Sequence, residues 1–410
     1  MHVSTSLWHN ATLSEPSLFL YITLFFKQTV IYMQNILYHN STAHTRTLIV
    51  HPGDACTTYE WPSVEDVTYY KDGLAIGTSG LHLTDTAPGR FFGLDLSLGV
   101  PPAETPELRM LDVPADLGMQ PHGMFFDPVA DRLYVVSHND TTREETIVVF
   151  GVEHVTNSDK STGFPNLRFK YALKDLVNAN EKNFTPKEQI WHFNDVAAVD
   201  GKNELYVTQL GPLYLPDVPK YVWRCTWSED GVGTDGRLSM DCAHAYSKPA
   251  KNGWNGITIS GDSAKVWAND IVGKKIAEFD RQSDGSLTHV RTLNMPRVMD
   301  NIEYDRASGD IALSSIGDFG ADSIFLSGYA GTLIWRCKDK AKHVYSDSVE
   351  AYQQDGKPGY QIASATVAHG LVMLGSPYQP GPKVCLHPSI LDIDLGCDPD
   401  TDTLTRRYAS

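Results

Sequence analysis

One sequence unit recurs along this chain and constrains its fold more than any single motif. In QPHGMFFDPVADRLYVVSHND, residues 120 to 140, a polar leader, His122, precedes a small residue and an apolar run. A turn at Asp127, Pro128 and Asp131 then opens into Leu-Tyr-Val-Val, which alternates and β-branches like a strand. The same order returns in NDVAAVDGKNELYVTQLG (194–211), NGITISGDSAKVWANDIVG (255–273) and DNIEYDRASGDIALSSIG (300–317). The step from leader to strand, His122 to Leu133, Asn194 to Leu205, Asn255 to Val266 and Asp300 to Ile311, is 11 residues each time. A looser copy starts at Glu65 and Asp66 and runs through VTYYKDGLAIGTSG. A sixth, QIASATVAHGLVMLGSP (361–377), keeps the strand and lacks the polar leader.

Six strand units spaced 45 to 72 residues apart suit four-stranded blades with variable loops. Radial repetition of such blades protects their edges, so the repeat predicts an all-β, six-bladed β-propeller with a central tunnel. Length alone, 410 residues, would suggest two or three domains; the repeat places one propeller over roughly 52–388, in a domain of 51–390. Residues 1–50 fall outside it. SLFLYITLFF (17–26) has the length of a signal h-region, and TVIYMQNIL follows after Lys27 and Gln28, so the segment reads as a signal peptide or signal anchor, with membrane attachment through 17–38. Asn10, Asn40, Asn139 and Asn183 open Asn-x-Ser/Thr sequons, consistent with a secreted or membrane-anchored, extracytoplasmic chain. Residues 391–410 read as an acidic, irregular tail.

The cysteines follow the ring. Cys56 stands just before the first unit and Cys385 just after the last, where a closed ring must join its two ends. A disulfide between them, an N- to C-terminal closure, would stabilise by roughly 4 to 5 kcal/mol on the chain-entropy estimate. Cys225 and Cys242 flank the turn SEDGVGTDGRLSM and would face each other in a hairpin; Cys337 and Cys397 are left over.

A formal charge of −16 speaks against a nucleic-acid partner, which needs clustered Lys and Arg. It suits bound divalent cations, or simply a solvated acidic surface. The inner strands of propeller blades begin at one end of the tunnel, so the leaders Glu65, His122, Asn194, Asn255, Asp300 and Asn301 should converge. Apart from His122 they are hard oxygen donors without cysteine, a set that selects calcium or magnesium over zinc, with calcium favoured by the two carboxylates and three amides. Asp66 and Asp195 directly follow their leaders and are placed to serve a second, deeper ion together with the carbonyl of Met124. His138 ends the strand that pairs with the one His122 begins. Antiparallel return therefore brings both rings to the tunnel mouth, where one acts as general base and the other fixes its tautomer.

The series Glu65-Asp66, His122-Gly123, Ser137-His138-Asn139-Asp140, Asn194-Asp195-Val196, Asn255-Gly256-Ile257 and Asp300-Asn301-Ile302 resembles the serum paraoxonase and arylesterase family, its fungal-type members included. The resemblance covers about residues 56–388. It implies a calcium-dependent six-bladed propeller hydrolysing small-molecule lactones, aryl esters and organophosphate triesters. Glu65, Asn194, Asn255, Asp300 and Asn301 would hold a catalytic calcium, Asp66, Met124 and Asp195 a structural one, and His122 and His138 would be the dyad. Cys56 and Cys385 match that family's closing disulfide. The chain departs from the family after the strand at 205, where TQLGPLYLPDVPKYV, with prolines at 212, 216 and 219, replaces an Asn-Asp-His-Tyr turn and a helix. Two rivals remain open at this level: a gluconolactonase-like metal-dependent hydrolase, and a non-enzymatic propeller scaffold, which would show a Gly-His to Trp-Asp signature in each blade that this chain lacks.

Overall fold

The computed structural model describes residues 46–50 and 56–386, except 62, 80–88, 97–104, 140–143, 159–161, 175–192, 211–219, 247, 249–252, 272, 296, 320–325, 328–330, 354–361, 369–370 and 377–380. The segment 17–38, Asn10, Asn40, Asn183, Cys397 and the tail 391–410 lie outside the described residues, and Asn139 is described in its backbone only. Among the described residues no helix is long and apolar enough to cross a membrane.

The repeat becomes six antiparallel sheets arranged as blades. Blade one joins Val64–Lys71, Leu74–Ser79 and Arg90–Asp95. Blade two joins Gln120–Asp127, Arg132–Asn139, Glu144–Thr156 and Thr162–Lys174. Blade three runs Phe193–Ala198, Glu204–Gln209, Val222–Thr226 and Asp241–His244, and blade four Trp254–Ile259, Lys265–Asp270, Lys275–Arg281 and Leu287–Asn294. Blade five runs Val298–Tyr304, Ile311–Phe319, Gly331–Asp339 and Val344–Gln353, and Arg46–Val50 adds to its outer edge in parallel. Blade six takes Ser364–Ala368, Leu371–Gly375 and Lys383–Leu386 from the end of the chain and Cys56–Thr58 from its beginning. The first strand of each blade touches the first strand of the next, and blade six touches blade one, so the ring closes.

Burial explains why the repeat was legible where it was. The first two strands of blade three are buried at every residue, because a strand near the axis has a neighbouring blade on both faces. Alternation fades there and β-branched runs take its place. At the rim, Leu287–Asn294 is largely exposed after Leu287. Apolar layers fill the wedges between blades: Phe91, Phe126 and Phe150 lie between blades one and two, and Trp267, Tyr304 and Trp335 between blades four and five. The first hairpin turns on Asp72 and Gly73, both at positive φ (51° and 83°), the backbone of the Asp-Gly turns whose twist matches paired strands.

A second regularity appears only in the register. Pairing between first and second strands slips between Val64 and Val67, Pro121 and Met124, Phe193 and Val196, Trp254 and Ile257, and Met299 and Ile302. Each slip falls on the leader and the residue behind it. Blade six, whose copy lacks a leader, pairs without a shift. The bulge is thus the structural form of the leader: it releases two side chains from strict alternation and re-aims them.

The disulfide closing the chain ends is not among the bonds described. The described one joins Cys225 to Cys242, register partners on adjacent strands of blade three, as the hairpin reading anticipated. Cys337 is also disulfide-bonded. Cys56 and Cys385 are register partners in blade six, but their side chains lie outside the described residues, so the structure gives strand pairing as the ring's closure.

Gly256 sits behind its leader because nothing larger fits: a Cβ there would lie 2.7 Å from the Asn301 Cα, the Asp300 carbonyl oxygen and the Ile302 nitrogen, all backbone. Gly256→Ala should therefore cost about 1–3 kcal/mol or more, since no flexible side chain can yield. Urea unfolding that gives the variant the wild-type midpoint would refute this packing account.

Candidate active site

The five bulges bring the leaders to one end of the ring axis. Glu65, Asn194, Asn255, Asp300 and Asn301 are all buried, as are Asp66 and Asp195 behind them. The residue behind each leader does a job that the sequence did not disclose. Asp66 Oδ1 accepts the Val67 N–H at 2.8 Å, and Asp66 Oδ2 accepts the Met124 N–H of blade two at 2.7 Å. Asp195 repeats this, with Val196 N–H on Oδ1 and the Ile257 N–H of blade four on Oδ2, both at 2.8 Å. Between these carboxylates stand glycines: a Cβ on Gly123 would collide with Asp195 Oδ1 and approach the Asn194 carbonyl to 2.6 Å. Aspartate reaches across, and glycine leaves it room. Met124 thus meets Asp66 through its amide, and Asp195 reaches the next blade rather than Met124. Hydroxyl and amide side chains of the second strands complete the belt. Thr78 donates to the His122 carbonyl at 3.3 Å, Thr208 to the Asn255 carbonyl and Asn269 Nδ2 to the Asp300 carbonyl.

The leaders themselves are satisfied on one side only. Asn301 Nδ2 donates to Asp66 Oδ1 at 3.3 Å and Asn194 Nδ2 faces His122 Nε2 at 3.4 Å, while Asn255 hydrogen-bonds the Asp300 carboxylate. Yet the Oδ1 atoms of Asn194, Asn255 and Asn301 are buried and accept no hydrogen bond from any described group. Leaving one buried acceptor unsatisfied costs about 1–3 kcal/mol, and three in one place is a strong reason to look for what they face. Among the described residues no three His, Cys, Asp or Glu side chains form a ready cage, so any cation here would depend on amide oxygens as well as carboxylates.

The carboxylates are out of their element without a counter-charge. Burial pushes Asp66 up to about 7, with the Glu65 charge adding to the rise and the two amide bonds opposing it. Burial, then the charge of Asp66, drives Asp195 well above the usual range, and burial, then the charge of Glu65, does the same to Asp300. Glu303, absent from the sequence reading, joins them. It lies two residues past Asn301 in the same strand, accepts from Thr68 at 2.8 Å, and burial followed by the Asp66 charge pushes it up to about 8. The i, i+2 spacing from a leader pair was the available signal.

At the mouth, the histidines meet as expected. His122 Nδ1 lies 2.7 Å from His138 Nε2, the rings 5.0 Å apart between centroids, and His122 Nε2 lies 2.9 Å from Glu65 Oε1. The bulge between Pro121 and Met124 turns His122 toward His138, whose own register partner is Gln120. A second missed residue completes the row: Glu145 Oε2 stands 2.7 Å from His138 Nδ1. The signal was its place directly across from His138 on the third strand.

The fold and site define a class: a β-propeller whose axis carries a buried carboxylate and amide cluster beside a histidine pair. Comparison with known proteins narrows it. The Arylesterase family model matches residues 247–330, the stretch holding Asn255, Asp300 and Asn301. The chain is 28% identical over 259 residues to serum paraoxonase/arylesterase 2 of Gallus gallus, and 23% identical over 261 residues to serum paraoxonase/lactonase 3 of Mus musculus. Each match covers 60% of this chain and 64% of the relative, so the chain spans less than two thirds of the length of these relatives. Among solved structures, the periplasmic gluconolactonase of Pseudomonas aeruginosa aligns at 12% identity and a TM-score of 0.46, over 79% of this chain and 85% of that one. Over these stretches the chain is similar to the serum paraoxonases and arylesterases.

The raised carboxylates set a pH dependence with a definite sign. A buried acid whose folded pKa lies above its unfolded value near 4 holds its proton longer when folded. The unfolded chain then binds fewer protons between about pH 4 and 7, and stability falls as pH rises through that window, by up to about 1.4 kcal/mol per unit per group. The metal-free protein should melt progressively lower from pH 4.5 to 7.5. A protein that grows more stable over this range would contradict the buried acidic cluster.

Proposed function

We propose that this chain is a calcium-dependent hydrolase of small-molecule lactones and aryl esters, with organophosphate triesters as a further substrate class. The observation that carries the reading is the His122–His138 pair at 2.7 Å, set beside buried axial leaders with three orphaned amide oxygens. The Arylesterase match over residues 247–330 and the relatives' names support it.

The residues fit two calcium ions. Glu65, Asn194, Asn255, Asp300 and Asn301 would hold the outer, catalytic one: oxygen donors, two of them carboxylates, with the orphaned Oδ1 atoms as amide ligands. Asp66, Asp195 and the main-chain oxygen of Met124 would hold the deeper, structural one, with lone pairs left over from the amide latches. When bound, the outer calcium supplies a Lewis acid for the carbonyl or phosphoryl oxygen of the substrate. His122 takes the proton of the attacking water: the O–H bond breaks, an Nε2–H bond forms, and the hydroxide oxygen bonds to the carbonyl carbon or phosphorus. Glu65, 2.9 Å from Nε2, stabilises the imidazolium, which returns the proton to the leaving alkoxide. His138 holds the far side of the ring and cannot reach substrate without giving up that bond.

The compartment follows from the sulfur. A disulfide at Cys225–Cys242 and a further one at Cys337 suit an oxidising, extracytoplasmic location, in keeping with residues 1–50 as a signal peptide or anchor. The Cys56–Cys385 bond belongs to this proposal as well, and the register supports it. Tyr59 N–H donates to the Pro382 carbonyl, which makes 59 and 382 a hydrogen-bonded pair and, by parity, 56 and 385 a non-hydrogen-bonded one. Such pairs bring Cα atoms to about 4.5 Å, within disulfide range. Peptide mapping of unreduced protein should recover Cys56 linked to Cys385. Recovery of either residue with another partner would refute the closure.

Two measurements test the activity. Exhaustive chelation should abolish hydrolysis of phenyl acetate and δ-valerolactone and lower the melting temperature, with calcium restoring both. His122→Gln should fold, bind calcium and lose about two to four orders of magnitude in kcat. Full activity without calcium would remove the metal from the reaction, and a near-wild-type rate in His122→Gln would remove the dyad.

A further inference from the structure

Glu145 is held in a row that leads directly to the proposed base. His138 and Glu145 are register partners on adjacent strands, with side chains only 12% and 11% exposed, so this is not a solvated surface pair. Glu145 Oε2 lies 2.7 Å from His138 Nδ1, and His138 Nε2 lies 2.7 Å from His122 Nδ1. The outer face of His122, Nε2, meets Glu65 Oε1 and Asn194 Nδ2. A four-membered chain thus runs from blade two's third strand to the axis.

Its polarity follows from what each group can donate. An ionised carboxylate only accepts, so Glu145 requires the proton of His138 on Nδ1. The neutral ring then presents a bare Nε2, which accepts Nδ1–H from His122. That leaves the lone pair of His122 on Nε2, on the axial side, where the Asn194 Nδ2–H at 3.4 Å is placed to donate to it; Glu65 Oε1, 2.9 Å away, becomes a hydrogen-bond partner of that nitrogen only when the ring takes up a proton. Reverse the first bond and the others reverse: with its proton on Nε2, His138 would donate to His122 Nδ1, and the His122 proton would occupy Nε2, where water must be deprotonated. We infer that Glu145 is a positioning residue for hydrolysis, fixing the tautomer of His138 and through it the nitrogen on which His122 is basic. This rests on the reading of His122 as base. The bulge at 121–124 turns His122 toward His138, and the cross-strand pair locks the direction of the row.

The test uses the full chain, calcium-loaded, labelled with nitrogen-15 histidine, with phenyl acetate as substrate. Nitrogen shifts should show wild-type His138 protonated on Nδ1. Glu145→Leu, which offers no acceptor, should mix or invert that tautomer and lower kcat roughly 10- to 100-fold, below the full general-base contribution. KM should stay within about twofold. Glu145→Gln keeps an acceptor oxygen and should restore both the tautomer and most of the rate. His122→Gln, run beside them, separates the two readings. If it loses its rate while Glu145→Leu keeps the wild-type tautomer or kcat, the inference is overturned and the base stands. If His122→Gln keeps its rate, the base assignment fails, and the role given to Glu145 falls with it.

Discussion

The structure depends on a carboxylate reaching across a blade boundary. A propeller has no continuous hydrogen-bonded sheet around its ring, so something other than strand pairing must set one blade's height against the next. Apolar layers supply most of the cohesion but are non-directional. Asp66 and Asp195 supply direction, each tying its own strand to the first strand of the following blade through two backbone amides. Bonds to a charged acceptor are the stronger kind, about 1.5–3 kcal/mol each. Gly123 and Gly256 are the complementary half of the device, since a side chain at either would fill the space that the carboxylate or neighbouring backbone occupies.

This latch has an electrostatic cost that shapes the site. It concentrates Asp66, Asp195, Asp300 and Glu303 away from the surface, where burial drives each toward the protonated form. Yet a protonated Asp66 would give up the charge that makes its amide bonds strong. Arg306, whose charge opposes the rise at Glu303, is committed to Asp200 in two bonds of 2.6 and 2.7 Å, so it offers the cluster little compensation. The proposed calcium would relieve this repulsion and would also give the three orphaned amide oxygens something to face.

How much of this could be read in the sequence depended on distance from the axis and on whether the signal was periodic. The ring, its six units and the convergence of the leaders were legible because the eleven-residue step fixes leader and strand together, and His122 with His138 because antiparallel return is simple geometry. The bulges were not, since a one-residue slip leaves composition unchanged. Gly123 and Gly256 read as small residues before an apolar run, and their purpose emerges only when the neighbouring blade is present. Glu303 and Glu145 were missed for a common reason: each is defined by a partner across a sheet or blade, Thr68 in one case and His138 in the other. Cys56 and Cys385 show the opposite limit, where sequence position names a pair that the described residues give only as facing strands.

The bulge also separates duties that would otherwise compete. In a regular strand, successive side chains point to opposite faces, so a leader and the residue behind it could not both serve the axis. The slip in register lets both do so, one latching the ring and one remaining at the mouth. Where the second position is Asp, the first is Glu65 or Asn194; where it is Gly, the first is His122 or Asn255. The glycine positions are therefore the ones whose leaders sit beside a neighbour's carboxylate rather than their own. That is where a neutral base is best placed. His122 faces Glu65 from the adjacent blade, so the charge it would gain as the proposed base would be met by a group that its own strand does not have to bury. Blade two, with a histidine leader and a glycine behind it, is the one blade whose first position is a base, and it is the blade from which the Glu145 row extends.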